Sequence, residues 1–202
     1  MKELVSKIEE LGLEDNTVVI FFSDNGGLRK DASQTPLREG KGWLYEGGIK
    51  EPLIIKWKNV ITPGSVSNSL VSSIDFFPTF LEIAGISALP ENIDGKSLVP
   101  AMKDPDAEIH RELFWHFPHY HNGPPGGAVR SGNWKLIEWY ENSLLETGKP
   151  AYELYNLDND ISESVNLADS MKTLTMKLSG KLQAWRKDVN AQMPVPNVKN
   201  SK

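Results

Sequence analysis

The sequence contains no cysteine, which excludes disulfide bonds, zinc–thiolate sites and cysteine nucleophiles. No apolar run approaches the roughly 18 residues that a membrane-spanning helix needs, so we expect no membrane span. Basic residues are also in deficit, because 22 Lys and Arg face 27 Asp and Glu and give a formal net charge of −5. Nucleic-acid binding requires clustered positive charge, so nucleic acid is not an expected partner.

The first half of the chain shows the patterns of a mixed α/β fold. Leu4, Ile8 and Leu11 recur at helical spacing and predict a short amphipathic helix in residues 1–13. The apolar runs TVVIFF and PLIIKW predict strands, the first of them buried on both faces in a mostly parallel sheet covered by helices. Residues 72–86 predict another helix. The segment between the two strands, residues 23–51, is too long for a routine connection and is expected to be functional or mobile.

The second half of the chain has a different sequence pattern, in which short aromatic segments are separated by turn residues. The segments ELFWHF, AVRSGNWKLIEWY and AYELYNL predict a small antiparallel sheet, and Ser-Gly-Asn supplies one of its turns. A final amphipathic helix is predicted to pack on this sheet, because apolar side chains recur there every three or four residues, at Met171, Leu174, Leu178, Leu182 and Trp185.

Asp24 and Asn25 directly follow the first apolar strand, and the ends of strands in α/β sheets are where ligands collect. A carboxylate beside an amide carbonyl offers two hard oxygen donors, which suit Ca²⁺ or Mg²⁺ better than zinc or copper. The same Asp-Asn-Gly-Gly sequence is also typical of a plain turn. Both interpretations stay open at this point, since two ligands do not complete a metal site.

Lys41 lies between Gly40 and Gly42, so no neighbouring side chain blocks an anion from approaching its ammonium group. An oxyanion site and a solvated loop lysine are the two interpretations, and the spacing of a P-loop is absent. The four histidines lie between His110 and His121 without a zinc-binding pattern. Their aromatic neighbours favour packing roles, and His119 is kept as a candidate substrate contact. No GxSxG elbow supports a serine triad.

The order of several sequence segments along the chain is more informative about its family than any single segment. The chain reads NTVVIFFSDNGG, TPLREGKGWLYEGGIKEPLIIKW, SLVSSIDFFPTFLEIAGI and IDGKSLVPAM in succession, and this series closely resembles the C-terminal half of the type I sulfatases, in the alkaline-phosphatase-like superfamily. The resemblance continues through FWHFPHY, AVRSGNWKLIEWY and ELYNLDNDISESVNLA. It therefore covers nearly the whole chain.

The resemblance implies roles for individual residues. Asp24 and Asn25 would be ligands of a Ca²⁺ ion, with Mg²⁺ as the alternative, and Lys41 would be a catalytic residue that contacts the sulfate group. The family's nucleophile is a formylglycine made in a C/S-x-P-S/A-R motif, which this sequence lacks. The family's first Asp-Asp ligands, its catalytic histidine and its second lysine are also missing. We therefore expect a missing N-terminal half to supply them, and the chain to be inactive alone.

The resemblance also implies the fold. Residues 1–105 are expected to form the C-terminal part of an alkaline-phosphatase-like mixed sheet sandwiched by helices, and residues 106–202 a small antiparallel sheet with a C-terminal helix. Without their sheet neighbours, TVVIFF and PLIIKW are expected to promote self-association.

The expected function is hydrolysis of a sulfate ester in a small molecule or a glycan. Two alternatives stay open: a phosphodiesterase or phosphonate ester hydrolase of the same superfamily, and a non-catalytic fragment that binds a sulfated glycan. A periplasmic or secreted location is suggested by the resemblance alone, and the sequence does not identify the sulfate ester.

Overall fold

The computed structural model describes residues 1–86, 88, 90–145 and 147–195, and the chain divides into two compact units. Unit 1 comprises Met1–Asp24 and Glu51–Arg111, and unit 2 comprises Asn25–Lys50 and Glu112–Lys202. The predicted domain boundary near residue 105 stays a prediction.

In chain order the helices are α1 (Lys2–Glu10), α2 (Glu46–Ile49), α3 (Phe76–Ile83), α4 (Val99–Lys103), α5 (Tyr140–Leu144) and α6 (Lys172–Asp188). The strands are β1 (Val18–Phe22), β2 (Leu53–Trp57), β3 (Glu112–Phe117), β4 (Gly126–Ser131), β5 (Trp134–Trp139) and β6 (Tyr152–Asn156), and short 3₁₀ turns span Glu14–Asn16 and Ser73–Asp75. In the part of the chain that the structure describes, no helix combines the length and the apolarity needed to cross a membrane.

In unit 1, β1 pairs with β2 in antiparallel register from Val18 opposite Trp57 to Phe22 opposite Leu53. The prediction that β1 is buried on both faces in a mostly parallel sheet is wrong for this chain, because Phe21 and Phe22 remain 41% and 36% exposed. A continuous apolar run indicates that a strand becomes covered, but it does not specify the direction of the neighbouring strand. An antiparallel pair remains compatible with a mixed sheet.

A buried carboxylate organises the start of α3. Asp75 is fully buried, and its oxygens accept hydrogen bonds from the backbone N–H groups of Ser72 at 2.7 Å and Lys96 at 2.8 Å. The Nε2 atom of His110 lies 2.7 Å from the same carboxylate. Hydrogen bonds of this kind offset the cost of burying a charged group. Asp75 therefore joins three segments of unit 1, and His110 has a structural role.

Unit 2 is built on an antiparallel sheet in the order β3-β4-β5-β6, as the sequence predicts. The central strand β5 is buried on both faces. Leu136 belongs to a cluster that also contains Leu178 and Leu182 of α6, which confirms that the final helix packs on the sheet. On the other face of β5, Ile137 and Trp139 pack with apolar residues that follow Lys41 in the chain. The sheet thus supports the segment that carries Lys41.

Candidate functional site

Residues 38–48, here called the Lys41 loop, form a closed turn within unit 2. The N–H of Gly47 donates to the carbonyl of Arg38 at 2.9 Å, and the N–H of Lys41 donates to the carbonyl of Gly27 at 3.1 Å. The Lys41 side chain is exposed. The loop therefore holds a cationic side chain in contact with solvent on a hydrogen-bonded base.

The glycines of this loop are required by close packing of the backbone. A Cβ atom at Gly40 would collide with the carbonyl oxygen of Gly27, and one at Gly48 would collide with the carbonyl oxygens of Trp43 and Gly40. Gly42 has a φ of 83°, a conformation that L residues rarely adopt. The loop thus depends on its glycines for its shape, in addition to the open approach to Lys41 that the sequence indicates.

The structure brings the histidine-rich segment next to the Lys41 loop within unit 2. Asn122 donates a hydrogen bond from Nδ2 to the carbonyl oxygen of Lys41 at 2.6 Å. The His121 ring lies against Gly42, where an added Cβ would collide with its Nδ1 atom. His119 is exposed and packs edge to face with Phe117, with ring centroids 5.1 Å apart. The sequence pattern predicts a packing role for His121 and gives no signal for Asn122.

His116 has a different environment from His119 and His121. Its Nδ1 atom lies 2.6 Å from the hydroxyl of Tyr140, and its Nε2 atom lies 2.9 Å from the carbonyl oxygen of Gln192. Both ring nitrogens therefore have partners within the fold, which indicates a structural role.

Asp24 is exposed and follows β1 in unit 1. Burial raises the pKa of the nearby Glu51 carboxyl, a hydrogen bond involving Ser23 opposes this shift, and the charge of Asp24 raises the pKa further. The Oε1 atom of Glu51 is buried without a hydrogen-bond partner among the described residues. An orphaned hard oxygen near a second carboxylate fits a hard divalent cation such as Ca²⁺ or Mg²⁺.

The donor set for such an ion is incomplete in the described part of the chain. No group of three or more His, Cys, Asp or Glu side chains able to hold a metal occurs among those residues. Asn25, the second predicted ligand, belongs to unit 2 and is partly buried. The assignment of Asp24 and Asn25 as metal ligands therefore stays a prediction.

A buried ion-pair network lies beneath the Lys41 loop. The Nζ atom of Lys135 is 3.1 Å from Oε1 of Glu46 and 2.8 Å from Oε1 of Glu163. The exposed fraction of the Lys135 and Glu163 side chains is 0%, and that of Glu46 is 1%. Arg130 lies 3.4 Å from the other oxygen of Glu46. The positive charges of Lys135 and Arg130 thus lie close to the carboxylates of Glu46 and Glu163. Of these four side chains, only Arg130 is appreciably exposed.

A second set of contacts joins the start of the loop to β6. Arg38 stacks over the Tyr45 ring at 3.9 Å and donates to the Tyr155 hydroxyl at 3.0 Å. Both phenols donate to Oε2 of Glu153, at 2.7 Å from Tyr45 and 2.8 Å from Tyr155. Burial and the Glu153 carboxylate raise the pKa of both tyrosines. The phenols therefore remain protonated donors at neutral pH.

The buried ion pairs of Lys135 with Glu46 and Glu163 were not predicted from the sequence, although the sequence contains one signal for them. Lys135 alternates with Ile137 and Trp139 on one face of β5. A lysine at an inward-facing position requires buried carboxylate partners. Those partners, Glu46 and Glu163, lie 89 and 28 positions away in sequence, so spacing does not identify them.

Asp160 organises the turn that carries Glu163, and we predict a measurable effect of its charge. Partial burial raises its pKa, but hydrogen bonds from the backbone N–H groups of Val165 and Ser164 and from serine hydroxyls outweigh this and lower it to about 2. The pKa is thus lower in the folded state than in the unfolded state. The stabilisation is therefore present above the unfolded value of about 4 and is lost as the pH falls through about 2.

We expect Asp160→Asn to lower the thermal midpoint at pH 7 by roughly 2–4 °C, the change that about 1 kcal/mol causes in a chain of this size. The difference from wild type should shrink as the pH falls from 4 to 2. Thermal unfolding followed by circular dichroism across this range is the measurement, and Asp169→Asn controls for the loss of one exposed negative charge. A midpoint difference that is constant with pH would contradict the role assigned to Asp160.

Comparison with known proteins places these features in a family. Residues 40–188 match the model of the C-terminal region of N-sulphoglucosamine sulphohydrolase. A sulfatase of Formosa agariphila is 40% identical over 194 residues, covering 86% of this chain and 34% of the relative. Human arylsulfatase A is 33% identical over 183 residues, covering 81% of this chain and 36% of the relative. The chain therefore spans about a third of the length of these relatives.

Solved structures agree with this result. BT4656 in complex with its substrate D-glucosamine-2-N,6-O-disulfate is 26% identical with a TM-score of 0.74, and the match covers 96% of this chain and 38% of that one. A phosphonate monoester hydrolase from Silicibacter pomeroyi is 20% identical with a TM-score of 0.70, covering 92% of this chain and 38% of that one. The second likeness shows the fold alone. The predicted alkaline-phosphatase-like fold is confirmed, and the chain belongs to the sulfatase family.

Proposed function

We propose that this chain is the C-terminal part of an enzyme that hydrolyses sulfate esters, and that Lys41 binds the sulfate group. One observation carries the proposal: an exposed lysine lies on a glycine-shaped, hydrogen-bonded loop in a chain of the sulfatase family. A lysine ammonium is a compact point charge that suits a tetrahedral anion. Preorganised positive charge of this kind stabilises the negative charge that reaction centres develop.

The histidine-rich segment supports a substrate-binding role at the same place. His119 is exposed on the segment that Asn122 attaches to the backbone of Lys41. We assign His119 to contacts with the substrate beyond the sulfate group, because an imidazole can donate or accept a hydrogen bond to a hydroxyl. The substrate class we propose is a sulfated sugar or a sulfated small molecule.

The proposed metal site uses Asp24 and Asn25, which contribute oxygen donors suited to Ca²⁺, with Mg²⁺ as the alternative. When bound, a divalent cation neutralises negative charge on the sulfate oxygens. The two residues supply at most two or three of the roughly six to eight oxygens that calcium prefers. The other ligands and the formylglycine nucleophile are assigned to the N-terminal half of the complete enzyme.

The phosphonate ester hydrolase alternative has less support than the sulfatase assignment. A lysine and a metal ion would serve either tetrahedral anion, and the phosphonate hydrolase shares the fold at 20% identity. The relatives at 40% and 33% identity are sulfatases. Turnover of a sulfate ester compared with a phosphonate ester by the complete enzyme discriminates the two.

The test is turnover of an aryl sulfate by the complete protein, with phenol and sulfate released in equal amounts. Stoichiometric binding of a sulfated sugar without turnover would instead support the non-catalytic alternative and overturn the proposal.

A further inference from the structure

We propose that Glu163, locked in place by Lys135, is a positioning residue that fastens both ends of the Lys41 loop and thereby fixes Lys41 for sulfate binding. This inference rests on the proposed function, because it gives Lys41 the sulfate-binding role. It extends that function to residues that lie far from Lys41 in sequence.

The hydrogen bonds of Glu163 reach both ends of the loop. Arg38, at its start, donates from Nη1 to the Glu163 carbonyl oxygen at 2.7 Å. Glu46, near its end, donates its backbone N–H to Oε2 of Glu163 at 2.6 Å. Between them, the N–H of Gly47 donates to the Arg38 carbonyl at 2.9 Å and closes the base of the loop. Glu163 therefore forms hydrogen bonds to Arg38 and Glu46, which lie on either side of Lys41 in the loop.

Lys135 fixes the Glu163 carboxylate in this position. Its ammonium lies 2.8 Å from Oε1 of Glu163 and 3.1 Å from Oε1 of Glu46, with all three side chains buried. A buried ion pair contributes little net stability compared with apolar residues of similar size, so we assign this pair a positioning role instead. The two carboxylates join the loop to β5 through Lys135.

The backbone of Glu163 carries a second sign of constraint. Its φ is 52°, in the left-handed region that residues other than glycine seldom adopt. Such a conformation persists where the surroundings determine it, and it is commonly found at functional sites. The hydrogen bonds that Ser164 and Val165 donate to Asp160 hold this turn from the other side. The carbonyl and the carboxylate of Glu163 can therefore accept hydrogen bonds from the two ends of the loop at the same time.

The consequence for Lys41 follows from the position of its backbone. A movement at the loop base displaces the Lys41 Cα atom, and the flexible side chain must then adopt another conformation to reach the same anion. Misplacement of a reacting or binding group by about 1 Å can lower a rate by about a hundredfold. The hydrogen bonds to Glu163 add to the loop's own hydrogen bonds and restrict the Lys41 backbone further.

The same sheet offers a matched control. Glu138 of β5 forms a buried ion pair with Arg186 of α6 at 2.9 Å, with side chains 6% and 9% exposed. This pair is absent from the contacts that anchor the Lys41 loop. Glu138→Gln therefore removes a buried carboxylate from the same strand as Lys135 without altering the anchor. Glu163→Gln removes the charge but keeps an oxygen acceptor for the Glu46 N–H, and Glu163→Ala removes both.

The first measurement is amide hydrogen exchange in the 202-residue chain. We expect Glu163→Gln and Lys135→Met to accelerate exchange at Lys41 and Gly47 by about tenfold to a hundredfold over the Glu138→Gln control. Glu163→Ala should exceed Glu163→Gln, and if the alanine variant fails to fold, the glutamine variant decides. Exchange at these two amides that matches the Glu138→Gln control would overturn the proposal.

The second measurement is a double-mutant cycle in the complete enzyme, at a temperature where every variant is folded. Glu163→Gln should lower kcat/KM for an aryl sulfate at least tenfold, whereas Glu138→Gln should not. In a Lys41→Ala background, Glu163→Gln should cause little further loss, because a positioning residue acts through its target. Additive losses would show an independent structural role and overturn the proposal. Failure of the proposed function would appear separately, as absence of turnover in the unmodified enzyme.

Discussion

In the complete enzyme of which we propose this chain is the C-terminal part, Lys41→Ala is expected to lower kcat/KM by roughly one to three decades and to leave the thermal midpoint nearly unchanged. A unit charge about 4 Å from a sulfate oxygen is worth on the order of 4 kcal/mol at an effective dielectric near 20. Desolvation and competition from the proposed metal ion are expected to remove about half of this. Since about 1.4 kcal/mol changes a rate tenfold, the loss spans the stated range.

Folding should be insensitive to this change, because the Lys41 side chain is exposed and the hydrogen bonds described for Lys41 use its backbone N–H and carbonyl. Alanine preserves those groups. Lys41→Arg should restore little activity, since a planar guanidinium is larger and has a different shape. Lys30→Ala, which removes another exposed lysine of unit 2, is the control. Unchanged kinetics would exclude the sulfate contact, and a large fall in the thermal midpoint would make Lys41 a structural residue.

The second large effect concerns the 202-residue chain alone, from which we expect no measurable turnover of an aryl sulfate. The chain has no cysteine and no C/S-x-P-S/A-R motif, so it contains no precursor of a formylglycine. Charge stabilisation without a nucleophile does not form the covalent intermediate that we propose for the complete enzyme. The complete enzyme in the same assay is the positive control. Activity that scales with the chain's concentration and survives repurification would contradict this expectation.

The sheet and terminal helix of unit 2 were predictable from sequence because their signals are local. The Ser-Gly-Asn turn around Gly132 separates β4 from the aromatic-rich β5, and an apolar stripe marks α6. The pairing of β1 was not predictable in the same way. Its run is apolar at every position, and such a run does not specify whether the neighbouring strand is parallel or antiparallel.

Some residues of the candidate site also have a local sequence signal, and others do not. Lys41 stands out because two glycines flank it, but Glu46 and Glu163 are single acidic residues that meet only in the folded chain. They lie 117 positions apart in sequence, and local patterns carry no information about a contact of that range. Lys135 was the available signal, since a cation at an inward strand position requires buried anionic partners.

The measurement that tests the central claim most directly compares two esters of one phenol, a sulfate and a methylphosphonate, in the complete enzyme. We predict a higher kcat/KM for the sulfate ester, and we expect Lys41→Ala to reduce it by at least tenfold. Turnover of the phosphonate with none of the sulfate, or sulfate turnover that is unaffected by Lys41→Ala, would contradict the account.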